Sequence, residues 1–195
     1  MSELSEILGR AVREWGIPRA ATHEGWTLPV KLSCKIEPYR ILDSRLRLPA
    51  QIDDFYSNCS GALLMADKEL GQWGLNLFSF DEMLIKTTRF FSERNRDSHQ
   101  GDLIVGRFLG DSDLLLTRER EGPNNSNSVL IVEPLLPRKD WPSPAADFAS
   151  FLNRYLDEQG RKYWERSAGH PKAPQKRSEA PDIQCARKSW QNLKR

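Results

Sequence analysis

The chain has 195 residues and a mass of 22.4 kDa, 38% of it hydrophobic and 29% charged, which is the composition of one folded domain with room for a tail. Its net charge of +2 is uneven: residues 167–195 hold seven Lys/Arg against two acids, a local balance of +5 that leaves −3 for residues 1–166. The odd cysteine count (Cys34, Cys59, Cys185, with no CxxC pair) argues against a disulfide framework, and no apolar run approaches the roughly 20 residues of a membrane helix.

Leu4, Ile7, Leu8, Ala11, Val12 and Trp15 recur at helical spacing and predict an N-terminal helix, capped by Ser2 and ended by Gly16-Ile17-Pro18. Trp26, Leu28, Val30, Leu32, Cys34 and Ile36 then alternate with mostly polar residues, the period of a strand with one buried face. Pro29 cannot donate to a ladder, so it places that strand at an edge or at a break, with an extended loop as the alternative. Leu48-Pro49 opens a short helix with Ile52, Phe55 and Tyr56 on one side, and residues Asn58 to Gly61 end it.

Two short strands follow, Ala62–Met65 and Trp73–Phe78, on either side of a polar stretch. Ser79 and Glu82 form a capping box for a helix that carries Met83, Leu84, Phe90 and Phe91. After the polar run 93–101, Leu103–Leu109 and Leu114–Thr117 read as strands joined by the turn Gly110-Asp111-Ser112-Asp113, and Val129–Val132 is a further strand beyond a loop. Ser143-Pro144 is the expected start of the last helix, with Phe148, Phe151, Leu152, Tyr155 and Leu156 as its apolar face and Tyr163 and Trp164 extending the packing. From Ser167 onward few apolar residues remain, which is the pattern of a disordered tail.

The order of these elements from Leu48 resembles the SUKH superfamily, or Smi/Knr-type domain, which includes bacterial toxin-immunity proteins. Four segments carry the resemblance: Leu48-Pro49 with the helix ending in Phe55-Tyr56-Ser57-Asn58-Cys59-Ser60-Gly61; Trp73-Gly74-Leu75-Asn76-Leu77-Phe78; the hairpin from Val105-Gly106 through Gly110-Asp111 to Leu114-Leu115-Leu116; and Trp141 followed by Phe148-Ala149-Ser150-Phe151-Leu152. It covers roughly residues 46–165, and Cys59-Ser60 splits the Asn-Gly of the family's first motif. The division along the chain is therefore a helix and extended segment in 1–45, a SUKH-like domain in 46–166, and a basic tail in 167–195. The resemblance implies an α+β fold, a single domain with a mixed, mainly antiparallel sheet flanked by helices. It also implies protein binding rather than catalysis.

The residues suited to chemistry have ordinary readings beside the functional ones. His23, His99 and His170 lie in predicted loops or the tail, with no nucleophile motif near them. Asp111 and Asp113, two apart, have the spacing of a DxD metal site, and equally that of a turn between apolar runs. Cys34 and Cys59 read as buried structural thiols, and Trp26, Trp73, Trp141 and Trp164 as core rather than base-stacking aromatics. Acids are concentrated near helix ends and turns, where an acidic surface would steer a basic partner. The expectation is thus a non-enzymatic immunity protein, without cofactor or metal, that binds and neutralises a basic, nuclease-type toxin domain of a toxin–antitoxin pair. Its partner-binding residues would be Asp53, Asp54, Asp67, Asp111 and Asp113. A regulatory or scaffold module with a cellular client is the alternative, and a metal-dependent enzyme using Asp111 and Asp113 the third reading. The expected partner is a protein, not a membrane, nucleic acid or small-molecule substrate. The N-terminus lacks the basic-then-apolar pattern of a secretory signal, so the expected location is cytoplasmic.

Overall fold

A computed structural model describes residues 2–23, 25–40, 48–118 and 129–168; the expected loop over 119–128 and residues 169–195 of the expected tail lie outside the described residues, while Ser167 and Ala168 belong to the 3-10 turn Tyr163–Ala168. Among the described residues, seven strands form one sheet in sequential order, and every neighbouring pair is antiparallel. The strands are β1 (Arg19–His23), β2 (Trp26–Glu37), β3 (Gly61–Asp67), β4 (Leu75–Leu77), β5 (Asp102–Phe108), β6 (Leu114–Arg118) and β7 (Val129–Val132). Four α-helices among the described residues accompany them: α1 (Glu3–Trp15), α2 (Ala50–Asn58), α3 (Phe80–Glu93) and α4 (Phe148–Asp157). The α+β class holds. The segments 1–45 and 46–166 share one sheet, because β2 hydrogen-bonds to β3 from Leu32 to Glu37.

The helices form where the periodicity places them. In α1, Ser2 accepts the Ser5 N–H, and Leu4, Ile7, Leu8, Ala11 and Trp15 are buried, while Val12 drifts off the stripe and is half exposed. In α3, Ser79 accepts the Glu82 N–H at 3.3 Å, the first half of the predicted box. The start of α4 is a correction. Asp147, not Ser143, is the cap, its carboxylate taking the Ser150 N–H at 2.8 Å. Ser143 instead donates its hydroxyl to the Val129 carbonyl. Both residues are good cap formers, and tertiary pairing of the 142–143 segment with β7 decides between them.

A second difference is β1. Nothing in Arg19–His23 alternates strongly, yet it pairs along β2 and makes a hairpin with it. Residues 26–31 of β2 pair with β1 alone, since β3 joins only from Leu32. Pro29 lies in the irregular stretch between the Ala20–Lys31 and Thr22–Thr27 pairs, so the break predicted from its missing N–H is a bulge within a strand. Trp26, expected in the core, ends that arm and is 78% exposed.

A further bulge lies between β2 and β3, where Met65 adopts φ +51. Its N–H reaches the Cys34 thiol at 3.2 Å, giving the bulge a partner that the ladder lacks there. Burial pushes the thiols of Cys34 and Cys59 up to about 11, so both are protonated at neutral pH.

Side-chain alternation separates the two sheet faces. Leu75 and Leu77 flank Gly106, and Phe108 on the same side packs against Tyr155 and Trp164 with ring centroids 6.1 and 5.4 Å away. This is the face of α4, with α1 packed on β2, α2 and α4. Both sheet edges are guarded. Gln159 accepts the Thr22 N–H on β1, and the Pro142 carbonyl accepts the Ile131 N–H on β7. Such caps discourage edge-to-edge pairing with other chains.

Candidate partner-binding site

The five acids singled out by sequence do not form one surface. Asp67 is buried at the end of β3, where its carboxylate accepts the N–H groups of Glu69 and Leu70 at 2.9 and 3.2 Å. It closes the turn toward Trp73 and is removed from any contact face. This is the side-chain-to-backbone use to which Asp is suited.

Asp111 and Asp113 meet Lys162. The Lys162 ammonium lies 2.6 Å from the Asp111 carboxylate and 2.5 Å from that of Asp113, with Glu165 at 3.6 Å and the Phe108 ring centroid at 5.3 Å. Burial alone would lower the Lys162 pKa, but the hydrogen bonds it donates to the two aspartates outweigh this and hold the ammonium above its ordinary range. Asp111 also accepts the Asp113 N–H at 2.9 Å, and Gly110 precedes them at φ +85. A Cβ on Gly110 would stand 2.4 Å from the Gln72 carbonyl oxygen, so this turn accepts only glycine there. Two carboxylates spaced for a cation thus have one, the protein's own, and the trio ties the segment after α4 to the β5–β6 turn. Sequence reasoning missed this because Lys162 is 49 residues from Asp113.

Asp53 and Asp54 behave differently. Asp53 is exposed in the first turn of α2, and Asp54 is half-buried, its carbonyl and carboxylate accepting the Asn58 amide. Neither forms an ion pair among the described residues. Tyr56, one turn on, packs edge to face on Phe80 at 5.6 Å and donates its hydroxyl to the Phe78 carbonyl. These contacts join α2 to the first turn of α3, which carries Asp81, exposed, and Glu82, half-buried. Each of the two helices has at least one acid in its first turn, and α2 contains no basic residue.

The histidines have structural partners. His23, predicted in a loop, ends β1 and contacts the Arg161 guanidinium. The His99 ring accepts a hydrogen bond from Arg118 at 2.6 Å through Nδ1, which requires the tautomer protonated at Nε2. His170 lies outside the described residues.

The largest polar assembly was not singled out from sequence at all. Asp102 opens β5 with its side chain fully buried. Arg138 grips it with two hydrogen bonds of 2.6 and 3.0 Å, Arg118 approaches to 3.3 Å, and the His99 N–H donates at 2.8 Å. Arg94 pairs with Asp97 at 2.7 Å and donates to the carbonyls of Pro134 and Leu136. Arg94 and Arg138 each lie 5.4 Å from the Trp141 ring centroid. Every charge here has a partner, so the assembly fastens residues 134–141 to β5, β6 and the end of α3. One sequence signal existed, an acid at the start of a mainly apolar strand, but its two arginine partners, Arg118 and Arg138, are dispersed along the chain.

Asp97 in this assembly has a pH signature. Its hydrogen bond from Arg94, aided by the Arg138 N–H, holds its carboxyl below the usual range. A group depressed in the folded state stabilises above its unfolded pKa and loses that contribution as pH falls through the folded value. The melting temperature of wild type should therefore decline more steeply than that of Asp97→Asn between about pH 5 and pH 2. Parallel curves would assign the acid sensitivity elsewhere.

The fold and these sites define an antiparallel α+β domain whose described ionisable groups largely serve its own structure. Comparison with family models, with curated proteins and with solved structures found no match to this chain. The likeness to SUKH domains thus rests on the four quoted segments. The described structure uses them chiefly for core and turns: Phe55, Tyr56, Phe148, Phe151 and Leu152 are buried, and Gly110 shapes the hairpin. No helix among the described residues is long and apolar enough to cross a membrane.

Proposed function

We propose that this chain is a non-catalytic protein-binding domain of immunity type, which neutralises a basic toxin domain. The observation that carries this reading is the start of α2, where Asp53 is open to solvent beside the half-buried Asp54, on a helix joined through Tyr56 and Phe80 to the first turn of α3. Support also comes from the residues considered for catalysis, which have roles within the fold: Asp111 and Asp113 hold Lys162, His99 accepts from Arg118, and both described thiols are buried. A regulatory or scaffold module is the second reading, favoured by a further open surface on the sheet.

Acids on a contact rim act mainly on association rate, and salt screens them over about 10 Å at 0.1 M. The double variant Asp53→Asn/Asp54→Asn should therefore associate several-fold more slowly than wild type with the product of a neighbouring toxin gene at low salt. At high salt the two rates should converge. Asp111→Asn/Asp113→Asn should instead lower stability by releasing Lys162. A wild-type rate that ignores salt, and is matched by the α2 double variant, would remove α2 from the contact.

A further inference from the structure

The sheet has a second face; Ile104, Leu116 and Val132 are buried on it, but one row across β2 to β6 is open. Register places Lys35, Leu63, Asn76, Arg107 and Leu114 side by side on five adjacent strands, β2 to β6. They point away from the α4 face, since Leu64, Leu75, Leu77, Gly106 and Leu115 occupy the alternate positions. Lys35 and Arg107 are exposed, and Leu63, Asn76 and Leu114 are half-buried. An antiparallel sheet ordinarily has one solvated face, but such a face is polar. Here two leucines bracket an amide and a guanidinium.

The charges on this row select a partner. Lys35 is paired with Glu37 at 2.7 Å, whereas Arg107 has no ion pair or hydrogen bond among the described residues. Its free charge therefore invites a carboxylate. A second copy of the chain fits poorly, because a two-fold contact centred on Arg107 would set that guanidinium against itself. The guarded sheet edges leave side chains, not backbone, to make the contact.

Spacing narrows the partner further. Leu63 and Leu114 are three strand intervals apart, about 14 Å, with Arg107 between them. In an extended segment, side chains at i and i+4 share a face and stand roughly 13 Å apart, with i+2 midway. We infer that the open face centred on Arg107 docks an extended, acidic protein segment that crosses the strands, with an apolar-x-acidic-x-apolar pattern. Apolar side chains rest on Leu63 and Leu114, and the carboxylate reaches Arg107. This surface is independent of α2 and opposite to it in charge.

The test uses the full chain as bait for a displayed library of random peptides. Enriched sequences should share the apolar-x-acidic-x-apolar spacing. A synthetic peptide from that set should bind Arg107→Glu at least tenfold more weakly than wild type, and bind Asp53→Asn/Asp54→Asn unchanged. Exchanging the peptide's acid for lysine should lose wild-type binding and regain it on Arg107→Glu. Arg107 is exposed, so equal melting temperatures for wild type and Arg107→Glu serve as the folding control. Leu63→Asp should also lose the peptide. The inference is overturned if nothing enriches, if enriched peptides lack the acid, or if they bind Arg107→Glu as well as wild type. It is equally overturned if the unliganded chain dimerises in a manner abolished by Arg107→Glu, which would make the occupant a second copy.

Discussion

Asp102→Ala should destabilise the protein by about 3–5 kcal/mol, the cost of removing one partner from a buried ion pair. The loss is large because what remains is costly. The Arg138 side chain is only 13% exposed and would keep its charge without its bidentate acceptor. Arg118 and the His99 N–H would lose the same acceptor. Since domain stabilities are commonly 5–15 kcal/mol, a change of this size takes much of the total. Asp102→Asn keeps an acceptor of the same shape without the charge and should fall between alanine and wild type. Urea denaturation of the three proteins provides the measurement. A midpoint for Asp102→Ala equal to that of wild type would mean that residues 134–141 are held by Trp141 packing alone.

Phe151→Ala should cost a similar amount, about 3–5 kcal/mol, by opening a cavity in the core. Phe151 is fully buried on α4, stacked on Tyr155 at 5.8 Å and 5.9 Å from Trp164. Tyr155 and Trp164 both also touch Phe108 of β5, so the four rings connect α4, the segment after it and the sheet. Truncation in the middle of this group leaves rings that cannot close inward without leaving Phe108. Phe151→Leu preserves more of the volume and should lose less. Equal denaturation midpoints for Phe151→Ala and wild type would contradict the placement of this ring. The two predictions are separable, because the Asp102 variants act through charge at one end of β5 and the Phe151 variants through packing near the other.

The stretches legible in sequence were those whose period is locally complete. The stripe of α1 and the face of α4 from Phe148 to Leu156 each encode one buried side within a few turns, whereas β2 departs from its alternation by burying Ser33 between Leu32 and Cys34 and exposing Trp26. Caps were less secure: Ser2 and Ser79 cap as expected, but Ser143 yields to Asp147. The aspartates were misjudged most. Asp67 and Asp53 look alike in sequence, yet one is turned into a loop backbone and the other into solvent.

By itself the sequence determined the secondary elements with strong periodicity, the main apolar faces and the acidic balance of the first 166 residues. These follow from side-chain chemistry at short range, where hydrophobic spacing and turn residues act. Only the tertiary structure decided that Arg19–His23 is a strand, since its pairing with β2 supplies what its own pattern lacks. It also decided which charges are free. Lys162 reaches Asp111 and Asp113, and Arg138 reaches Asp102, across separations that no local pattern records. Folding fills those carboxylates from within and leaves Asp53 and Arg107 outside, because the availability of a charge depends on which side chains the chain brings beside it.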